Sequence, residues 1–266
     1  MPASLRVMTY NLRVPGVDPD EPSWAARRDK VASMIRFHAP DVLGVQEAVP
    51  RMLDDLDARL PDYAWTGQAR STDSDEHCAL FYRADCLRIE DTDTFWLSTT
   101  PDEPGSRSWD AAFPRSVTGA TFRDPRTDRP LTVFNTHFDH DGTTARRESA
   151  RVLREQIDAR TGDAPVVVMG DLNTTPDTPP YRRLVTGGPG PPLRDALHES
   201  TMPHHGPTAT FNGFGDHVQP DTRIDYCFVR GPLTVARHGT LTDRWNGAFP
   251  SDHCPVIAVV SVRSAT

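Results

Sequence analysis

The fold of this chain is decided by the stretch Val166-Val167-Val168-Met169-Gly170-Asp171-Leu172-Asn173. Its first four residues are apolar and three of them are β-branched, which predicts a strand buried on both faces. Gly170 then permits a sharp turn of the backbone. Asp171 and Asn173 have the spacing of two that places side chains on one side of a strand. Both are therefore predicted to point into one site at the carboxyl end of this strand, where α/β sheets bind ligands.

Polar residues accompany other strand-like runs in the same way. Runs at residues 5–10 and 41–46 precede Asn11 and Glu47, and residues 131–135 lead to His137. Two later strand-like segments carry further acids and a histidine. The complete polar set is Asn11, Glu47, His137, Asp171, Asn173, Asp225, Asp252 and His253. Two packed sheets whose strand ends and loops meet at one edge would bring this set together.

The intervening sequence predicts the covering helices. Helices are predicted from Trp24 to about His38, with Ser23 as a cap, and over residues 50–60, 145–160 and 181–185. Residues 78–82 and 86–89 are predicted to pair as adjacent strands. A Gly/Pro turn is predicted through Pro192.

Length and composition favour one α/β domain spanning residues 1–266, because no flexible linker divides the 266 residues. No apolar run approaches the roughly 20 residues that span a bilayer, so we predict no membrane association. The N-terminus lacks the features of a secretory signal, which predicts a cytoplasmic enzyme. The four cysteines are scattered and form no zinc-type pair, so they are predicted to be reduced, structural thiols.

The net charge of -8 provides no basic footprint for nucleic acid. This weakens the hypothesis of a nuclease that acts on long polymers.

The polar set has a defined chemistry. Four carboxylates and two carboxamides are hard oxygen donors, and the chain has no cysteine or histidine cluster at zinc spacing, which favours Mg²⁺ or Mn²⁺. A histidine beside a carboxylate can exchange protons near neutral pH, and Asp225 is the natural partner for His253. Taken alone, Asp171 is more typical of a turn residue, and His137 of a core histidine. Their occurrence together favours metal-assisted phosphoester hydrolysis.

The motifs that carry this chemistry are Tyr10-Asn11-Leu12, Val45-Gln46-Glu47, Asn135-Thr136-His137, Gly170-Asp171-Leu172-Asn173, Arg223-Ile224-Asp225-Tyr226 and Ser251-Asp252-His253. In this order they resemble the motifs of the endonuclease/exonuclease/phosphatase superfamily, which has the DNase I-like fold. The resemblance covers nearly the whole chain. It implies a four-layer α/β sandwich in which two packed, mixed, mostly antiparallel sheets are flanked by helices. It also implies metal-dependent hydrolysis of phosphoesters.

The resemblance implies a ligand set for the metal. Glu47 would be the principal ligand, assisted by Asn11 and Asp252. At the position two residues after the first asparagine, where DNA-repair members have an acid, this chain has Arg13. That difference weakens the case for a second metal contact there and for an abasic-site repair function.

The resemblance also implies catalytic roles. His253, oriented by Asp225, would act on the attacking water or stabilise the scissile phosphate. Asp171 and Asn173 would position the nucleophile and the phosphate. His137 would bind a phosphate oxygen or protonate the leaving group. The identity of the general base stays open.

A second group of motifs is Phe95-Trp96-Leu97-Ser98, Pro104-Gly105-Ser106, Trp109-Asp110, Asn135-Thr136-His137-Phe138-Asp139-His140 and Thr210-Phe211-Asn212-Gly213-Phe214. It resembles a bacterial subgroup of the superfamily whose substrate is generally unassigned. The resulting candidates for the substrate pocket are Trp109, Arg115, Asp139, Arg146 and Phe214, with Glu76 as a weaker one. Structural packing is the alternative explanation for these side chains.

These patterns lead to two enzymatic hypotheses and one non-enzymatic hypothesis. The first is a Mg²⁺- or Mn²⁺-dependent phosphomonoesterase or phosphodiesterase of a small metabolite such as a nucleotide, a sugar phosphate or a phosphorylated natural product. The second is a nuclease of short or single-stranded nucleic acid that stacks bases on the loop tryptophans. A binding module without catalysis is disfavoured, because every motif acid and histidine is present. No protein partner is implied.

Overall fold

Two β-sheets pack face to face between two layers of helices in the computed structural model, which describes residues 4–187 and 191–263. The helices are α1 (Trp24–His38), α2 (Pro50–Asp57), α3 (Thr143–Thr161), α4 (Pro179–Val185) and α5 (Ala196–Glu199). The strands are β1 (Leu5–Asn11), β2 (Val42–Ala48), β3 (Tyr63–Thr66), β4 (Ala69–Ser71), β5 (Ser74–Arg83), β6 (Arg88–Trp96), β7 (Ser116–Asp124), β8 (Arg129–His137), β9 (Val166–Asp171), β10 (Arg194–Asp195), β11 (Asp225–Arg230), β12 (Leu233–Thr240) and β13 (Val256–Val262).

Both sheets are mixed and mostly antiparallel. The first has the strand order β12-β13-β1-β2-β5-β3, with β4 also paired to β5, and its parallel pair is β1 with β2. The second has the order β10-β11-β9-β8-β7-β6, and its parallel pair is β8 with β9. The predicted four-layer sandwich is therefore confirmed.

The strand β9 shows why the apolar run at its start is decisive. Val167 and Met169 point into the apolar layer between the two sheets. Val166 and Val168 point the other way, into the layer that the second sheet shares with α3 and α4. All four side chains are fully buried. A strand that is buried on both faces belongs in the interior of its sheet, and β9 lies between β8 and β11. Asp171, at the end of β9, is therefore buried as well.

A polar clamp joins the two sheets next to the site. The amide of Asn135 in β8 donates to the carbonyl oxygens of Val45 and Ala79 in the first sheet, at 2.9 Å each. The amide of Gln46 donates to Asn135 Oδ1 at 2.6 Å. Buried amides with these partners fix the relative position of the sheets, since leaving them unpaired would be costly.

Two predictions of local structure differ from the observed structure, and a third concerns residues that are only partly described. The strands at residues 78–82 and 86–89 do not pair with each other. Both edges of β5 are occupied, by β2 and β3, so the chain crosses to the second sheet and β6 pairs with β7. Ser23 makes no side-chain capping hydrogen bond. The predicted turn through Pro192 falls partly outside the described residues.

Two other expectations concern cysteines and helices. Cys78, Cys86, Cys227 and Cys254 are free thiols, three of them buried. None of the helices in the described ranges is both long enough and apolar enough to cross a bilayer.

Gly170 is expected to be the least replaceable glycine at the site. Its φ is +149°, and a β-carbon added there would lie 1.9 Å from the carbonyl oxygen of Thr136 on the neighbouring strand. Gly170→Ala should therefore destabilise the protein by about 3 kcal/mol or more, measured by urea unfolding. Gly162→Ala is the control, because φ is +49° there and nothing lies within 4 Å of the added carbon. Equal losses in the two variants would contradict the predicted clash.

His238 is expected to make stability depend on pH. Burial, with the charges of Arg223 and His204, lowers its pKa to about 3. His204 Nε2 donates to the carbonyl of Pro207, so His238 Nδ1 donates to His204 Nδ1 at 2.9 Å. A second proton on His238 would go to Nε2, which is buried without a partner.

The sign follows from proton binding. Between pH 6.5 and about 3 the unfolded chain binds a proton at His238 that the folded chain does not, so this contribution to stability is lost as the pH falls. His238→Gln should remove up to about 1.4 kcal/mol per pH unit of that dependence. Urea unfolding of wild type and variant across this window measures it, with the exposed His217→Gln as control. Parallel curves for wild type and His238→Gln would disprove the effect.

Candidate active site

The predicted polar residues meet at one edge of the sandwich. Asn11 ends β1 and His137 ends β8 beside Asp171 at the end of β9. Asp225 instead opens β11, opposite Asp171, and His253 precedes β13. Because β11 and β13 run antiparallel to β9 and β1, their amino ends lie at the same edge as the carboxyl ends of those strands. The sequence prediction of polar residues after strands is thus corrected for these two segments.

A cavity of about 800 Å³ opens over this edge. The predicted metal and catalytic residues that line it are Glu47, His137, Asp171, Asn173, Asp252 and His253. Asn11 and Asp225 lie behind them and are fully buried. The structure therefore brings the eight predicted residues to one place.

His253 forms a hydrogen-bonded dyad with Asp225. His253 Nδ1 lies 2.9 Å from Asp225 Oδ2, which also accepts a hydrogen bond of 2.6 Å from Thr210 Oγ1. Burial alone would lower the pKa of His253, but the charges of Asp225, Asp252 and Asp171 raise it well above its ordinary value. His253 is therefore held in one orientation and in its cationic form at neutral pH.

Asp171 lies within 4 Å of both histidines. Its Oδ2 lies 3.5 Å from His137 Nε2 and 3.7 Å from His253 Nε2, and it accepts a hydrogen bond of 3.0 Å from the Asn11 amide. Burial and the charge of Asp225 raise the pKa of Asp171 to about 7. A carboxyl group with this pKa can take up and release a proton at neutral pH.

His137 is neutral. Burial and the nearby charge of Arg115 lower its pKa well below the ordinary value. The amide of Asn173 lies 3.0 Å from His137 Nε2 and 3.0 Å from the carbonyl oxygen of Phe138. Because the amide nitrogen is a donor, His137 Nε2 accepts and the ring proton stands on Nδ1.

The acidic side of the cavity is organised around Glu47. Its Oε1 accepts from the Asn11 amide at 3.0 Å, and its Oε2 accepts from the backbone N–H of Val14 at 2.7 Å. The same Asn11 nitrogen donates to Asp171, so it draws two carboxylates to one point. Asp252 lies 3.6 Å from Arg13 Nε. Burial raises the pKa of Asp252, and the charge of Glu47 adds to this rise.

Three residues of this region have left-handed backbone conformations. φ is +59° at Arg13 and Glu47 and +46° at Asn173. Non-glycine residues adopt such values at an energetic cost of about 1–3 kcal/mol each, and they cluster at functional sites. The neighbouring hydrogen bonds hold the strained conformations in place.

The donor set fits a hard divalent cation. The negative charge of Glu47 contributes to the raised pKa of Asp252, and a cation bound between the two acids would relieve that repulsion. A second group of potential ligand atoms, within 4.8 Å of one another, belongs to Asp171, Asp225 and His253. There the Nδ1 of His253 is already engaged by Asp225. On the Glu47 side each carboxylate oxygen accepts one hydrogen bond and keeps a further lone pair that could bind a cation.

Of the five residues predicted for the substrate pocket, Arg115 lines the cavity. Asp139 does not: it is fully buried and accepts hydrogen bonds from the backbone N–H groups of Ala112, Phe113 and Gly142. Its contact with Arg115, at 3.4 Å, makes it a support for the wall.

Trp109, Arg146 and Phe214 also lie outside the cavity lining. Trp109 packs against the apolar layer between the second sheet and its helices. Arg146 donates to the carbonyl oxygens of residues 139 and 140. The Phe214 ring lies 5.4 Å from the Arg27 guanidinium. The observed contacts of these three residues are with the rest of the protein, as the alternative explanation of structural packing predicts.

Sequence reasoning missed several residues around the cavity. Arg70 and Phe113 line its wall, and Thr210 holds Asp225. Thr210 is the first residue of the motif Thr210-Phe211-Asn212-Gly213-Phe214, so the sequence could have indicated a role for it. Arg70 lies on the short strand β4, whose sequence has no pattern that distinguishes it from a surface segment.

Comparisons with known proteins agree with this geometry. The model of the Endonuclease/Exonuclease/phosphatase family matches residues 8–253. A solved endonuclease/exonuclease/phosphatase family protein from Bacteroides thetaiotaomicron is 34% identical, with a TM-score of 0.91 and coverage of 100% of both chains. A mannosyl-6-phosphatase of the same species is also 34% identical, with a TM-score of 0.88, and the match covers 96% of this chain and 99% of that one.

A viral relative is more distant. An uncharacterized protein of Acanthamoeba polyphaga mimivirus is 29% identical over 165 residues, which is 57% of this chain. The match spans 59% of the length of the viral protein.

Proposed function

The chain belongs to the endonuclease/exonuclease/phosphatase family, and from this premise we propose that it is a Mg²⁺- or Mn²⁺-dependent phosphoesterase of a small metabolite. Members of the family are hydrolases that act on phosphoesters. The observation that carries the proposal is the His253–Asp225 dyad beside Asp171, in the same cavity as Glu47.

The metal would be held by Glu47 and Asp252, with Asn11 positioning Glu47. When bound, it supplies positive charge that neutralises the phosphoryl oxygens and favours attack by water. Asn11 contributes by donating to Glu47 and Asp171 at once, which holds the two acids in a constant arrangement.

The protein groups divide the proton transfers between them. Asp171, with a pKa of about 7, is suited to accept the proton of the attacking water as the water oxygen bonds to phosphorus. The oxygen of the P–O bond that breaks takes its proton from the solvent of the open cavity, and the substrate leaves as the free alcohol. His253 is protonated and donates from Nε2 to a phosphoryl oxygen, while Asp225 holds its Nδ1–H. Neutral His137 keeps Asn173 in place, and this pair borders the site of the phosphoryl group.

A small substrate is supported by the charge and by a relative. The net charge of -8 disfavours long polyanions. The 34% identical mannosyl-6-phosphatase acts, by its name, on a phosphomonoester. The loop tryptophans that the nuclease hypothesis uses for base stacking lie in the packed interior: Trp96 is 3% exposed and its Nε1 donates to the carbonyl of Arg70, and Trp109 packs on the core.

The test is product release from a panel of small phosphoesters and from labelled DNA and RNA oligonucleotides, with Mg²⁺, with Mn²⁺ and with chelator. We expect metal-dependent turnover of at least one small ester. Cleavage of oligonucleotides with all small esters untouched would replace the proposal with the nuclease hypothesis. Inertness toward every class would support a binding module.

A further inference from the structure

One wall of the cavity is built from an ion pair that the catalytic steps do not use. Glu76 Oε1 lies 2.7 Å from Arg70 Nη2, and its Oε2 accepts from Arg70 Nη1 at 2.9 Å. Arg70 Nε donates to Ser74 Oγ at 2.9 Å. Both charged side chains line the cavity and are largely buried. This two-point pairing holds a donor group and an acceptor group rigidly side by side.

The pair keeps hydrogen-bonding capacity for a ligand. Each Nη of Arg70 has a second N–H, and each oxygen of Glu76 has a further lone pair. A hydroxyl group can accept from the first and donate to the second at once. Adjacent hydroxyl groups of a polyol match such an arrangement.

The charge balance of the cavity restricts what else can bind. Among the described residues, the arginines of its lining are Arg13, Arg70 and Arg115. Each has a carboxylate partner, which is Glu21, Glu76 and Asp139 respectively. The wall therefore offers no uncompensated cation for a second phosphate, and the carboxylate of Glu76 repels one. The substrate part that lies against this wall should be uncharged.

Phe113 adds an apolar surface to the same wall. Its side chain lines the cavity and is 42% exposed, which is unusual for a large hydrophobic residue in this protein. The Arg70 guanidinium lies 4.6 Å from the ring centroid, and the His140 ring stacks at 5.9 Å. The ring is thus held in place, and its exposed part can contact the C–H groups of a ligand.

We propose that Arg70, Glu76 and Phe113 form a leaving-group subsite for a neutral, polyhydroxylated group, so that the substrate is a sugar monophosphate. This inference rests on the proposed phosphoesterase function. The subsite binds ring hydroxyl groups through the Arg70–Glu76 pair and the C–H surface through Phe113, while the single phosphate reaches His253 and the metal that Glu47 would hold.

The test compares kcat/KM for a hexose monophosphate, a hexose bisphosphate and ethyl phosphate, which is too short to reach the wall. Glu76→Gln should lower kcat/KM for the hexose monophosphate by about 10–100-fold, the effect of a lost hydrogen bond to a charged group. The value for ethyl phosphate should not change. Turnover of the bisphosphate relative to the monophosphate should rise, because the repelling charge is gone and Arg70 is released.

Two further variants complete the design. Glu155→Gln removes a carboxylate from a helix-surface pair with Arg151 and should leave all three values unchanged. Phe113→Ala, at an exposed position, serves if Glu76→Gln does not fold, and should lower kcat/KM for the hexose ester alone.

The outcomes separate the two proposals. An unchanged ratio of hexose monophosphate to ethyl phosphate in Glu76→Gln, or in Phe113→Ala if the former is unfolded, overturns the subsite and leaves the phosphoesterase function standing. Turnover of ethyl phosphate without turnover of the hexose ester by wild type has the same meaning. Failure of wild type with every ester overturns the proposed function and the subsite with it.

Discussion

Replacing His253 with alanine is expected to lower kcat by about 10²–10⁴-fold, the usual effect of removing a positioned acid or base. The imidazole is held by Asp225 at 2.9 Å and its other nitrogen faces Asp171 at 3.7 Å, so both of its nitrogens have a carboxylate neighbour that orients the ring. The measurement is steady-state turnover of the best ester from the panel at saturating metal. Retention of most activity would exclude His253 from the chemical step.

The variant needs a control for folding. Loss of the imidazolium leaves two buried carboxylates without their cation, and breaking a buried ion pair commonly costs about 3–5 kcal/mol. Urea unfolding of His253→Ala must therefore show a folded population at the assay temperature.

Asp225→Asn tests the dyad without removing the histidine. The charge of Asp225 raises the pKa of His253, so its loss lowers that pKa. If the cationic ring is required for catalysis, the alkaline limb of the pH–rate profile should move to lower pH in Asp225→Asn than in wild type. A merely structural Asp225 would lower activity without moving this limb.

Replacing Glu47 with glutamine is expected to weaken metal binding and catalysis together. The loss of a direct carboxylate ligand should raise the Kd for Mg²⁺ by at least the roughly 10–100-fold that loss of a supporting residue costs. kcat at fixed metal should fall by about 10²–10³-fold, because charge neutralisation by the metal contributes several kcal/mol. Calorimetric titration with Mg²⁺ and Mn²⁺, alongside activity assays, measures both.

The matched control is Glu155→Gln, which removes a carboxylate from the surface of α3. Glutamine at position 47 has a single acceptor oxygen, so either the Val14 N–H or the Asn11 amide loses its acceptor, which should cost about 1–3 kcal/mol of stability. Wild-type affinity for both metals in Glu47→Gln would remove this residue from the ligand set and favour the group formed by Asp171, Asp225 and His253.

The buried strand at the centre of this protein could be predicted from local sequence. Val166–Met169 have no polar residue to turn toward solvent, so their strand is buried on both faces, and Asp171 follows at its end. Strand ends with polar residues meet at sheet edges in this kind of architecture. For that reason the polar strand ends predicted two packed sheets and the set of residues that gather at their edge, and the family resemblance implied the four-layer sandwich.

The surroundings of that centre were less predictable. The run at residues 86–89 was assigned to the wrong neighbour, because both edges of β5 are already occupied by the earlier strands β2 and β3. Trp109 and Phe214 were expected at the substrate pocket, and they pack elsewhere. Their residue types are the same in a binding wall and in a core, so composition could not separate the two.

The sequence by itself determined the fold and the acids and histidines that gather at the site, because apolar runs and the polar residues beside them are short-range patterns in the chain. Only the tertiary structure decided that Arg70, Glu76 and Phe113 share one wall and that every arginine of the cavity lining has a carboxylate partner. The physical reason is that this wall is assembled from segments on different strands and loops. Their side chains meet only after both sheets have packed, and hydrogen bonds across that distance leave no local pattern in the chain.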